Sequence, residues 1–97
     1  MQYNFEWDPI KARENLRKHK ISFERGAEIV LDPLALSVYD EIHSRTEDRW
    51  ITLGKDRNNV LLVVVHTFLE IDGDNCSIRI ISARRATRHE AKQYSAR

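Results

Sequence analysis

Ninety-seven residues, 41% of them apolar and 8% aromatic, suffice for one hydrophobic core but not two, so a single domain spanning residues 1–97 is expected. Charged residues make up 32% of the chain while the formal net charge is only +1, a balance that excludes disordered and collagen-like classes. The longest apolar run, Val60 to Val65, is far short of the roughly 20 residues of a membrane helix, and the lone Cys76 excludes an internal disulfide. No basic segment followed by an apolar stretch opens the chain, so a reducing, cytoplasmic setting without membrane contact is expected.

In chain order, Tyr3 to Trp7 reads as a short extended piece. Asp8 and Pro9 then predict a helix over Pro9 to His19, because the carboxylate accepts an orphan backbone N–H and proline needs no donor in the first turn. Its apolar residues, Ile10, Ala12 and Leu16, form only a narrow stripe on an otherwise basic helix. Ser22 caps a second helix in which Phe23, Ala27, Val30 and Leu31 share one face, and Asp32-Pro33 ends it. After Pro33 the period changes. Leu34 to Tyr39, Arg49 to Leu53, Val60 to Thr67 and Ser77 to Ser82 read as four strands separated by turns, the last three as an antiparallel meander. Thr87 and Glu90 match a capping box opening a short helix that ends near Tyr94.

Helices segregated from consecutive strands give an α+β domain: two N-terminal helices on one face of a four-stranded, mainly antiparallel sheet, closed by a short C-terminal helix. So short a chain leaves part of the other face uncovered. The near-neutral total hides segregation of charge. Residues 11–25 carry six basic against two acidic side chains, residues 26–48 one against six, and residues 76–97 six against one. Folding that joins the two basic blocks would build a surface suited to polyphosphate.

Several residues can carry chemistry. His66, ending the most apolar strand, is either a proton-transfer group or a histidine that merely hydrogen-bonds a neighbour. Arg79 interrupts an apolar strand and either pairs with an internal carboxylate or faces an anion, for which its fork is suited. Arg84 and Arg85 precede the capped helix and make either an anion cradle or a solvated basic turn. Trp50 either stacks a base or sits in the core, and Lys18 can simply answer the helix dipole. His19, His43, His66 and His89 lack metal-ligand spacing, and no glycine-rich phosphate loop exists, so neither metal nor cofactor is expected.

The segments Phe5-Glu6-Trp7-Asp8-Pro9, Lys18-His19, Ser22-Phe23-Glu24, Asp32-Pro33-Leu34, Arg49-Trp50-Ile51-Thr52-Leu53-Gly54 and Arg79-Ile80-Ile81-Ser82-Ala83-Arg84-Arg85-Ala86-Thr87, with Glu90 and Tyr94, resemble the BrnT toxin family. The resemblance runs from Phe5 to Tyr94. It implies a RelE-like ribonuclease toxin of a type II toxin–antitoxin pair, neutralised by a ribbon-helix-helix antitoxin, BrnA, through which DNA is met only indirectly. Lys20 departs from the pattern by replacing the glycine that closes the first helix.

The residues are compatible with that activity. RNA can be cut without metal by its own 2′-hydroxyl, given proton acceptor, proton donor and cations for the phosphorane. On this reading Arg79 and Arg84 stabilise the phosphorane, His66 moves a proton, Lys18, Arg49 and Arg85 position phosphates, and Trp50 meets a base. The competing reading is a module without catalysis. As a DNA-binding helix-turn-helix it is opposed by Glu24 and Glu28 on the second helix, whose carboxylates would repel phosphates. As a protein-interaction domain it would use the open sheet face.

Overall fold

The first helix starts where Asp8 accepts a hydrogen bond from the Ile10 N–H at 2.8 Å, and runs over Pro9–His19 (α1). It stops at Lys20, which adopts the left-handed conformation (φ 62°) and donates its N–H to the Leu16 carbonyl. Ser22 caps Phe23–Val30 (α2) through the Arg25 N–H at 3.2 Å. In this computed structural model, which describes residues 1–96, the remaining elements are strands Gln2–Glu6 (β1), Leu36–Tyr39 (β2), Arg49–Lys55 (β3), Leu61–Thr67 (β4), Leu69–Glu70 (β5) and Asn75–Arg85 (β6), and helix Arg88–Ser95 (α3). Arg97, counted in the basic C-terminal block, lies outside the described residues. Thr87 and Glu90 form the reciprocal capping box that opens α3.

The sheet differs from expectation. It has six strands in the order β1-β6-β4-β3-β2, with β5 also on β6, and it is mixed: β1 runs parallel to β6, in register from Gln2 against Asn75 to Glu6 against Arg79. This corrects the expected four-stranded, mainly antiparallel sheet carrying two helices. The physical reason is that the opening Tyr3–Trp7 piece finds a backbone partner only at the far end of the chain, and that β6 extends at both ends beyond Ser77–Ser82.

Between Val65 and His66 the β4–β6 register slips, leaving Ile81 as a bulge between Ser82, opposite Val65, and Ile80, opposite His66. The bulge lets Ile78, Ile80 and Ala83 all face the core, where they meet Phe23, Ile29, Leu62 and Val64. Full burial of each large side chain contributes about 1.5–3 kcal/mol. α1 lies on β6 and α2 on β3, β4 and β6. Gly26 permits the close approach of α2, since a Cβ there would stand 3.2 Å from that of Ala83.

Asn15, buried on α1, secures the bulged stretch. Its Nδ2 donates to the carbonyls of Ala83 (2.8 Å) and Ile21 (2.9 Å), and its Oδ1 accepts from the Ala83 N–H (3.1 Å). One carboxamide thereby gives Ala83 the donor and acceptor that a neighbouring strand would supply. On the opposite sheet face α3 borders only one end, beside Leu53 and Val63, while Val38 and Ile51 remain exposed.

Candidate active site

Strand alternation decides which side chains share the incompletely covered face. Along β4, Val63, Val65 and Thr67 point there, with Leu53, Ile51 and Arg49 opposite them on β3. On β6, Arg84 lies against Val63, and beyond the bulge the Arg79 N–H donates to Thr67 Oγ1 at 3.0 Å. Arg49 and Arg79 therefore flank Thr67 from its two neighbouring strands.

Their guanidiniums meet at one carboxylate. Glu47 Oε1 accepts from Arg79 Nη2 in a short ion pair and from Arg49 Nη2 at 3.4 Å. Hydrogen bonding from Arg79, foremost, holds the Glu47 carboxyl below its ordinary value against the opposing effect of burial. Arg49 Nε is shut off from solvent and has no acceptor among the described residues. The segment carrying Glu47 is anchored on both sides: Asp40 accepts from the His43 N–H at 3.3 Å, the Arg49 N–H donates to Ser44 Oγ at 3.0 Å, and Tyr39 Oη donates to Asp48 at 2.9 Å. Beside it lies a cavity of about 470 Å³ bordered by Glu6, Arg45, Glu47, Thr67, Ser77 and Arg79.

Arg84 shares this face but not this cluster. Four residues separate it from Arg79 along β6, about 15 Å of strand. Its fork grips Glu90 with bonds of 2.9 and 3.0 Å. That pair, with the Thr87 N–H, draws the Glu90 carboxyl down to about 2 and raises the Arg84 guanidinium still further.

His66 points to the other face, where it is buried. Burial lowers its pKa, so the ring is neutral. Nδ1 faces the Thr67 carbonyl at 2.9 Å, an acceptor, so Nδ1 carries the proton and Nε2 accepts from the Thr52 hydroxyl at 2.7 Å. Thr52 in turn accepts from Ser37 at 2.8 Å. This chain edges a cavity of about 290 Å³ that also includes Trp50, Tyr3 and Phe68. Trp50 packs edge-to-face on Tyr39 with centroids 5.2 Å apart. Lys18 is exposed on the last turn of α1, and Arg85 is exposed at the end of β6 with its side chain opposite to that of Arg84.

Of the seven residues singled out from sequence, the structure thus brings together Arg49 and Arg79. Arg84 stands apart on the same face, His66 and Trp50 share a second cavity behind the sheet, and Lys18 and Arg85 are solvated. Glu47 was not anticipated; its only local signal is its place two residues before Arg49 in an acidic stretch. Among the described residues, no group of three or more His, Cys, Asp or Glu side chains is placed to hold a metal ion, and no helix is long and apolar enough to cross a membrane.

The fold of this small α+β domain is shared with a known ribonuclease toxin. The crystal structure of the Brucella abortus ribonuclease toxin, BrnT, superposes with a TM-score of 0.62, covering 91% of this chain and 100% of that one at 17% identity, a likeness of fold. Among curated proteins none matches significantly. The family model for the ribonuclease toxin BrnT of type II toxin–antitoxin systems matches residues 7–90, and the chain belongs to that family. Membership implies an RNA substrate and an antitoxin partner.

Proposed function

We propose that this chain is a cytoplasmic endoribonuclease of RelE-like type that cuts RNA without a metal ion, at the sheet face carrying Arg49 and Arg79. The observation that carries the reading is the convergence of those two guanidiniums from β3 and β6 on a single carboxylate oxygen. An arrangement that satisfies one anionic oxygen from two sides also suits a nonbridging phosphate oxygen, and it strengthens as charge builds on the phosphorane. Arg84, on the same face, serves a neighbouring stretch of backbone, and exposed Lys18 and Arg85 add diffuse attraction for RNA. His66 is neutral and faces the opposite cavity, so proton transfer at the scissile phosphate falls to another group; with Trp50, it belongs to the support of β2, β3 and β4. Exposed Val38 and Ile51 continue the arginine face. They suit a protein partner that covers that face, which in this proposal is an antitoxin of the BrnA, ribbon-helix-helix type.

Labelled RNA incubated with the purified chain in EDTA tests the reading. Cleavage should persist in chelator and fall about 100- to 1,000-fold in Arg79→Ala, by analogy with loss of one donor to a developing oxyanion. Cleavage that needs added magnesium, or that survives unchanged in a folded Arg79→Ala, overturns it.

A further inference from the structure

With His66 facing the opposite cavity, the first proton lacks a destination, and the arginine cluster supplies one. Both guanidiniums use Glu47 Oε1. Oε2 accepts no hydrogen bond from the described residues, and the side chain is 31% exposed beside the cavity of about 470 Å³. One oxygen is therefore fixed, which orients the carboxylate, while the other keeps its lone pairs for an incoming donor. We propose that Glu47 is the general base of RNA cleavage, Oε2 taking the proton of the 2′-hydroxyl next to a phosphate held by the Arg79 donors that Glu47 leaves unused. This rests on the assignment of the arginine face as the ribonuclease site.

In the step, the O2′–H bond breaks with its proton passing to Glu47 Oε2, and the O2′ electron pair forms the O2′–P bond. The P–O5′ bond breaks, and its electron pair leaves on O5′, which takes a proton from water. The hydroxide so formed is neutralised by the proton on Glu47, which restores the carboxylate. The products are a 2′,3′-cyclic phosphate and a 5′-hydroxyl.

Arg79 has two effects on such a base: its hydrogen bond orients the carboxylate, and its remaining donors hold the phosphate whose neighbour the base must reach. The charged groups around Glu47 are Arg79 from β6, Arg49 from β3, Glu6 from β1, and Arg45 and Asp48 from its own loop. The two acids disfavour a further negative charge, the three arginines favour it, and the direct contacts belong to the arginines. A carboxylate that only blocked the site would show the opposite behaviour on removal, because freeing two guanidiniums would speed cleavage.

Single-turnover cleavage in EDTA by the wild type, Glu47→Gln and Glu47→Asp, alongside binding of a 2′-deoxy analogue that cannot be cut, separates these outcomes. Glu47→Gln should lose about 100-fold or more in rate, with analogue binding unchanged or tighter. It should also lose the acidic limb of the pH–rate profile, and Glu47→Asp should recover part of the rate. A Glu47→Gln rate within about threefold of the wild type, or above it, overturns the base assignment while leaving the arginine site intact. Wild-type protein that leaves RNA whole in EDTA overturns the site itself.

Discussion

Truncating Asn15 to alanine should cost this domain a large part of its stability, although the side chain touches no substrate. Three hydrogen bonds vanish at once: those from Nδ2 to the Ala83 and Ile21 carbonyls and that from the Ala83 N–H to Oδ1, at 2.8–3.1 Å. The Ala83 N–H is a single donor in the interior, so losing its acceptor costs about 1–3 kcal/mol, and each carbonyl loses about 1 kcal/mol of hydrogen bonding. The sum is about 3–5 kcal/mol, against a total of about 5–10 kcal/mol for a domain of this size. In urea the unfolding midpoint should fall with little change in slope, and the melting temperature should drop by at least about 12 °C. Asn15→Asp sharpens the test, because at neutral pH it turns a negative oxygen toward two carbonyls, and protonation should restore part of the loss. If Asn15→Ala unfolds within about 0.5 kcal/mol of the wild type, the carboxamide does not stand in for a strand and the reasoning fails.

Two further predictions concern helix ends. Glu90 is drawn to about 2 in the folded state by the Arg84 fork, from an ordinary 4.5, so its contribution is complete above about pH 4.5 and disappears as the pH falls toward 2. Urea midpoints measured between about pH 6 and 3 should decline in the wild type and more gently in Glu90→Gln. Lys20 closes α1 in the left-handed region that costs a side chain about 1 kcal/mol. Lys20→Gly should therefore gain about 1 kcal/mol less a few tenths for the cation removed from the helix C-terminus, and raise the melting temperature by about 3–6 °C.

Much of the fold was legible because its signals are local. Asp8-Pro9, Ser22 and the Thr87–Glu90 box each bring cap and first turn within a few residues, and the α1, α2 and α3 starts coincide with them. The β1 strand was not legible as a strand, since what makes it one is the backbone of β6 at the other end of the chain. Nothing in Tyr3–Trp7 names that partner. The same distinction runs through the site. Arg79 stood out as a charge in an apolar strand, and the two fates open to it, a carboxylate or an anion, are joined in the structure at Glu47, 32 residues away. His66 drew notice for its chemistry, but the side to which a histidine faces depends on register, and here the bulge at Ile81 sets its partner. Glu47 sits in an irregular segment without periodicity, so its role follows from tertiary proximity alone.

β6 bonds to β1, β4 and β5 and supports α1 and α2, all of which precede it in the chain. β1 must therefore wait, backbone unpaired, until Asn75 to Arg79 are made. A chain abandoned midway has no scaffold on which to assemble and lacks Arg79 altogether. A break before Asn75 therefore keeps most of the elements and removes the one strand that gathers them.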